Sequence, residues 1–374
     1  MSVAESLRSQ TLPARNSAQP VPETMFAAVY AGDGRVAVEQ VETPRIGPDE
    51  ILIRVETCGI CHTDLKKIEY NLLPPPRIYG HEIAGIVAAA GERVTKYVPG
   101  DRVIAFHHIP CGTCFYCERH LYSQCSSYKK VGVTAGFEPA GGGFAQYVRV
   151  MNWIVERGVE KIPAGVPFDQ ACWVEPVNTV LKAVHQLDPQ PEDTVAVLGQ
   201  GPIGLIFTML VKRTGAAVFS TDTIEFRREL SRESGAEAFD PRKPDFERAL
   251  KAQTNDRGAD SVILATNVPG LLDQAIRISR PGAKILLFAH TSAADRIEFS
   301  GAGICVGERV LFGSYSADID LQKESARLVF NGELPLERLI SHRVSLSDIA
   351  QGIAVAQHPD ERSLKVVVHP QERN

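Results

Sequence analysis

Two textures of apolar and polar residues divide the chain. From Met25 to about Val150, strand-length apolar runs (MFAAVY, ILIRVETCG, EIAGIVAAAG, RVIAF and FAQYVRV) are broken by GDG, TPRIGPDE and VPGD. Gly, Pro and Asp punctuate turns, so this half predicts an irregular, mostly antiparallel β unit. From about Thr179 the runs VAVLG, AAVFSTD, SVILAT and KILLFA are almost wholly apolar, and a helix-compatible stretch follows each. Strands buried on both faces and alternating with helices predict βαβ units in a parallel sheet. Beyond Ser314, a helical stretch near ADIDLQ and the closing strand LKVVV are too short for a further domain and are expected to return to the β unit. Residues 1–24, rich in Ser, Pro, Gln and Ala without an apolar h-region, predict a poorly ordered tail rather than a secretory signal. Arg8 and Arg15 leave an amphipathic targeting segment as the alternative.

Composition narrows the classes. The chain has 374 residues, 44% hydrophobic and 23% charged, enough for about two cores and against disorder or a disulfide scaffold. With 40 Lys+Arg against 45 Asp+Glu the formal charge is −5, against an electrostatic nucleic-acid binder. No apolar run reaches the length of a membrane span. The expected compartment is the cytoplasm, where clustered cysteines bind metal more often than they pair.

In VAVLGQGPIGLIFTML, Gly199, Gly201 and Gly204 follow a strand pattern and open an apolar helix, and Asp222 ends the next strand. That context turns a weak GxGxxG match into a dinucleotide-binding prediction. Gly199 permits the tight turn, Gly201 lets backbone approach a pyrophosphate, and Gly204 lets helix pack on strand. Pro202 and Ile203 complete the loop, whose helix N-terminus offers free N–H groups to phosphate. Asp222 can accept both ribose hydroxyls and would repel a 2′-phosphate, which favours NAD over NADP. Arg227 and Arg228 nearby pull the other way.

Eight cysteines are present, and four of them, Cys111, Cys114, Cys117 and Cys125, read C-x2-C-x2-C-x7-C. Four thiolates on one tight loop suit a tetrahedral zinc with no open position, hence a structural metal. An iron–sulfur cluster and strained disulfides are the competing readings.

Taken in order, GICHTD (59–64), GHE (80–82), the four-cysteine loop, the EP dipeptide (175–176) and GQGPIG (199–204) resemble the zinc-dependent medium-chain alcohol and polyol dehydrogenases, sorbitol-dehydrogenase-like members among them. The resemblance runs from about residue 25 to 369. It implies an α/β protein with a mainly-β, GroES-like catalytic domain (25–178 and 315–374) and a doubly wound, parallel-sheet Rossmann domain (179–314). It makes Cys61 and His81 ligands of a second, catalytic zinc. Glu175 becomes the third ligand, with Cys172 as competitor and Glu82 as a neighbouring carboxylate or exchangeable ligand. Asp64 would fix the tautomer of His81.

An open zinc of this kind acidifies a bound hydroxyl, so that a hydride can pass to NAD. Thr63 would take the proton first, with Lys66 or water finishing the relay. His62 and Lys365 match pyrophosphate contacts, Arg227 lies with the cofactor set, and Thr179 matches a residue against the nicotinamide. His107 matches a residue of the substrate cleft, or is an ordinary structural histidine. Cys58 and Cys305 are expected in the core. The implied substrate is a small secondary alcohol or polyol; an L-threonine 3-dehydrogenase-like activity and a non-catalytic NAD- or zinc-binding protein are the alternatives. A homo-oligomer is implied, tetramer over dimer.

Overall fold

The computed structural model describes residues 20–127, 133–136, 141–289 and 296–372. Most of the segment expected as a tail therefore lies outside the described residues, and Thr24 already opens a strand.

The first strand, Thr24–Gly32, pairs antiparallel with Arg35–Glu42. The turn between them places Gly32, Asp33 and Gly34 at positive φ (98°, 52° and 74°), the conformation that tight hairpins need and that Gly and Asp tolerate. Arg35–Glu42 is largely exposed, which is why its apolar pattern is too weak to be read from sequence.

The main β unit is a mixed sheet. Its strands run in the order Ile340–Ser345, Lys365–His369, Ile51–Gly59, Glu82–Ala90, Arg102–Ala105 and Val159–Lys161, and Tyr147–Val150 also pairs with Ile51–Gly59. The two outer strands on one side come from the end of the chain. They are mutually parallel, joined through helix Ile349–Gln357, and Lys365–His369 runs antiparallel to Ile51–Gly59.

Between these halves lies a six-stranded, all-parallel sheet. In chain order its strands are Thr194–Leu198, Ala217–Thr221, Glu237–Phe239, Ala259–Leu264, Ser279–Leu287 and Val310–Gly313. Across the sheet they run third, second, first, fourth, fifth, sixth. The order reverses beside the first strand, so a crevice opens at its carboxyl end, where doubly wound sheets bind ligands. Alternation along that strand explains its continuous apolar run. Val195 and Val197 join one core cluster while Ala196 and Leu198 join another on the opposite face.

The first of these clusters also contains Ile51, Ile53 and Val367, so a single apolar mass runs from the mixed sheet into the parallel one. Helix Val174–Leu187 sits at the junction and packs against both helix Pro202–Arg213 and helix Gln322–Phe330. Among the described residues no helix is long and apolar enough to cross a membrane.

Candidate active site and metal centres

The glycine loop joins strand Thr194–Leu198 to helix Pro202–Arg213, with Gly201 as the cap and proline in the first turn, where its missing N–H costs nothing. Each glycine has its own reason. Gly199 has φ +98°, and a Cβ on Gly204 would overlap the carbonyl oxygen of Gly199. Above Gly201 there is open space: a Cβ added there would meet nothing within 4 Å, as close approach of a phosphate requires. Asp222 is tied into the same loop: its carboxylate accepts from the Gln200 N–H (2.8 Å) and the Ile224 N–H (2.9 Å). Arg227 lies 3.9 Å from Asp222 and donates to the carbonyl of Ser363 at 3.0 Å, bringing the closing segment against the loop.

Cys61 caps helix His62–Glu69 with a capping box. Its sulfur accepts from the Thr63 N–H, and its own N–H donates to Asp64 at 3.2 Å. The cap fixes both the thiol and the carboxylate. Asp64, fully buried, then meets His81 Nδ1 at 3.0 Å, which turns Nε2 toward Cys61. Burial pushes the Asp64 carboxyl up, and His81 more than reverses this, leaving it lowered. Burial lowers His81, and Asp64 and Cys61 outweigh it, so the imidazole is raised well above its usual value. Strong negative potential collects at this point, and it favours a cation.

The donor atoms of Cys61, His81 and Glu82 all lie within 4.8 Å of one another. Glu175 stands outside that tight group, at the start of helix Val174–Leu187, with Thr179 one turn on donating to its carbonyl at 3.1 Å. It remains in electrical contact with the group. Burial raises its carboxyl to about 7, His81 opposes, and Glu82 adds to the rise. The Glu82 carboxylate also meets the ammonium of Lys365, so the structure places that lysine beside the glutamate of the metal group. Burial lowers the Lys365 ammonium, and Glu82 and Cys61 outweigh this, for a net rise. Cys172 is buried, its thiol donates to the Asp169 carbonyl at 3.2 Å, and burial raises it well above a normal thiol. Cys58 is likewise buried and raised.

His107 is buried with its ring 4.6 Å from that of His81 and tilted 46° to it, and the ring of His108 follows at 4.1 Å, tilted 49°. His62 and Thr63 are exposed on the first turn of their helix, and Lys66 lies one turn further on. Two features here escape a reading of the sequence: the Glu82–Lys365 pair and the third imidazole, His108. The ion pair has no local signal, because Glu82 and Lys365 meet only through the tertiary fold; His108 directly follows His107, but nothing local places that pair beside His81.

The second group is self-contained. The sulfurs of Cys111, Cys114, Cys117 and Cys125 also lie within 4.8 Å of one another, with Cys114–Cys117 at 3.5 Å and Cys111–Cys117 at 3.9 Å. A pair of thiols at 3.5 Å is not a disulfide, and four sulfurs around one point suit a tetrahedral metal. The lobe docks on the closing segment: Ile319 packs on the cysteines, and Tyr122 donates to Asp320 at 2.8 Å. Cys305 corrects an expectation. It is exposed, at the end of the short helix Gly301–Cys305, because that helix buries none of its residues.

Residues 47–163 match the alcohol dehydrogenase GroES-like domain and residues 202–331 the zinc-binding dehydrogenase domain. L-threonine 3-dehydrogenase of Pyrococcus horikoshii is 30% identical over 86% of this chain and 92% of its own. The chain belongs to the zinc-dependent medium-chain dehydrogenase family. Within that family, sorbitol dehydrogenase of Bacillus subtilis is 28% identical over 94% of this chain and 98% of its own. A zinc-binding dehydrogenase from Sinorhizobium meliloti, solved with NADP, superposes with a TM-score of 0.83 at 29% identity, covering 93% of this chain and all of that one. The mixed sheet with its returning strands and the doubly wound parallel sheet are this family's GroES-like and Rossmann folds.

Proposed function

We propose that the protein is a zinc- and NAD-dependent dehydrogenase that reversibly oxidises a secondary alcohol, a polyol or a related hydroxylated metabolite, to the ketone. The observation that carries this is the convergence of Cys61, His81 and Glu82 on one point, with Asp64 setting the tautomer of His81. A thiolate, an imidazole and a carboxylate are zinc donors, and Glu175, at the start of the neighbouring helix and outside the tight group, is the further carboxylate that the family resemblance offers to the set. Bound zinc supplies a Lewis acid that lowers the pKa of the substrate hydroxyl, and NAD supplies the hydride acceptor.

The residues of the chain do the rest. Asp64, bonded to Nδ1, orients the ring of His81 so that Nε2, on the Cys61 side, would hold the metal. Thr63 Oγ1, exposed beside Cys61, takes the hydroxyl proton and passes it to water or Lys66. Gly199, Gly201, Pro202, Ile203 and Gly204 form the backbone cradle for the pyrophosphate. Asp222, held in place by the Gln200 and Ile224 N–H groups, presents negative charge to the adenosine ribose. That arrangement disfavours a 2′-phosphate although one structural relative carries NADP. His62 and Arg227 flank the cofactor, Thr179 faces the nicotinamide from the helix of Glu175, and His107 lines the substrate side against His81. The four-cysteine lobe holds the second, structural zinc.

In this reading the catalytic domain comprises 25–178 and 315–374 and the NAD-binding domain 179–314, in a cytoplasmic homotetramer. The 30% identity to an L-threonine 3-dehydrogenase supports a second reading, oxidation of the threonine hydroxyl at the same site. A panel of polyols, secondary alcohols and threonine with NAD, followed by nicotinamide absorbance, separates them. Metal analysis of the same preparation should find two zincs per chain, one for each donor group. Active protein holding one zinc would overturn the two-site reading, and zinc-loaded protein that binds NAD but oxidises nothing on the panel would favour a non-catalytic binder.

A further inference from the structure

The chain passes between the two sheets twice. Helix Val174–Leu187 leads from the mixed sheet into the parallel one, and residues 314–321 lead back from strand Val310–Gly313 to helix Gln322–Phe330. A change in the angle between the sheets must be absorbed by these two connections. They are fastened to each other. Asn178 and Lys182 lie one turn apart on the same face of their helix, and both are buried. The Asn178 amide donates to the Asp318 carbonyl at 3.0 Å, accepts the Asp318 N–H at 2.7 Å and donates to Ser325 Oγ at 3.2 Å. Lys182 donates to the Tyr315 carbonyl at 2.9 Å. Between those anchor points Ser316 stands at φ +62°, a left-handed conformation that a residue with a Cβ holds only where its surroundings impose it.

The returning connection is also gripped from the four-cysteine lobe. The hydroxyl of buried Tyr122 donates to Asp320 at 2.8 Å, and His120 Nδ1 meets the same carboxylate at 3.0 Å. Ile319 lies against Cys117, Tyr122 and Cys125. The Asp320 N–H in turn donates to Asp318 Oδ1 at 2.9 Å, which carries the lobe's hold to the residue that Asn178 grips. Four cysteines close a metal shell among themselves, and that task requires no phenol or imidazole on the crossover between the sheets.

In the reading above, a dinucleotide lies across the crevice at this joint. The glycine loop and Asp222 belong to the parallel sheet, whereas Thr179 stands on the connecting helix, one residue from Asn178. A joint free to wander must be ordered each time the cofactor binds, and that ordering lowers affinity.

We propose that the four-cysteine lobe braces the joint between the two domains, with Tyr122 and Asp320 as positioning residues that hold the cofactor crevice in its binding geometry. The proposal rests on the NAD reading and goes beyond it by giving the lobe a part in cofactor binding.

Titration calorimetry with NAD and with AMP tests it. AMP needs only the glycine loop and Asp222, whereas NAD must also reach across the joint. Tyr122→Phe keeps the ring in the lobe and removes the hydroxyl; Asp320→Asn keeps the shape and removes the charge. In each, metal analysis should still find two zincs per chain, and the NAD dissociation constant should rise about three- to tenfold with AMP affinity unaltered. KM for NAD should rise with it while kcat at saturating NAD stays within about twofold. The double variant should be no weaker than Asp320→Asn alone, because both changes break one contact. Should Asp320→Asn lose zinc from the lobe, His120→Ala, at an exposed side chain, carries the comparison beside Tyr122→Phe. Wild-type NAD affinity in the zinc-replete variants would overturn the proposal. So would an equal loss for NAD and AMP, which would mean a disturbed parallel sheet. Wild-type protein that binds AMP but not NAD, or neither, would instead remove the NAD reading, and the proposal with it.

Discussion

The two groups of metal donors are built by opposite means. The four cysteines belong to one short loop, with Cys117, Tyr122 and Cys125 as a small buried cluster of their own and Ile319 laid against it. Cys61, His81, Glu82 and Glu175 come from a helix cap, a strand edge and a helix start, held in place by the final strand. The first site depends on spacing and the second on the whole fold. A closed shell can be local because its task is to hold chain together, whereas an open one needs surroundings that leave a gap and keep it.

The largest effect should come from the open site. Cys61→Ser is expected to abolish turnover while NAD still binds, as measured by nicotinamide fluorescence; full activity in that variant would break the distinction at once. The counterpart, Cys117→Ser, should lower the melting temperature and open the 111–125 loop to protease. Each folded molecule should keep much of its turnover, and the separation fails if stability is unchanged while activity vanishes. Asp64→Asn removes the negative charge that holds and polarises His81, and a loss of about 10–100-fold in metal affinity or activity is expected. Metal competition with a chromophoric chelator measures it, and an unaltered affinity would mean that the tautomer is set elsewhere.

The smallest effect concerns assembly. Asp169 accepts from Thr57 (2.8 Å) and Arg343 (2.7 Å) and meets His369 at 2.8 Å, so it ties the last strand to the helix preceding Glu175. Burial raises the Asp169 carboxyl, and hydrogen bonds from His369, Arg343 and Thr57 win, holding it down at about 2. The bond to Asp169 raises His369 above its ordinary 6.5, against burial. The carboxylate's contribution is therefore present above about 3.8 and lost as pH falls toward 2. The imidazolium's is full below about 6.5 and lost as pH rises through its raised value. The melting-temperature gap between wild type and Asp169→Asn should thus be widest near pH 5. It should narrow at pH 8, where Arg343 and Thr57 still hold, and narrow again below pH 3. A gap that does not vary with pH would show that the ion pair adds nothing to the joint.

What can be read from sequence follows the same division. The C-x2-C-x2-C-x7-C spacing and the strand, glycine loop and helix around Gly199 are local, and their chemistry can be argued from neighbouring residues alone. The open site is reached only by resemblance, since no periodicity joins Cys61 to His81 or Glu175. The Glu82–Lys365 pair, with Gly59 opposite Glu82 in register, has no signal, because it depends on strands set together by distant residues; His107 and His108 are neighbours in the chain, and what the fold adds is the His81 ring beside His107. Apolar character alone misplaces Cys305; the helix that carries it buries nothing. Short strands such as Glu237–Phe239 escape because three residues carry no period.

The position of the last strand has a consequence during synthesis. Glu82 leaves the ribosome early, but its partner Lys365 follows only after the entire parallel sheet has been made. At about 5–20 residues per second that delay is on the order of 15–60 s. Through that interval Tyr147–Val150 covers only the Ile51–Arg54 end of one edge of strand Ile51–Gly59, and the Cys58–Gly59 end, where Lys365–His369 will pair, stands open with Glu82 still lacking its cation. A chain ending before Lys365 would complete the parallel sheet yet lack the strand that joins Ile340–Ser345 to the mixed sheet, and Glu82 would have no ion pair.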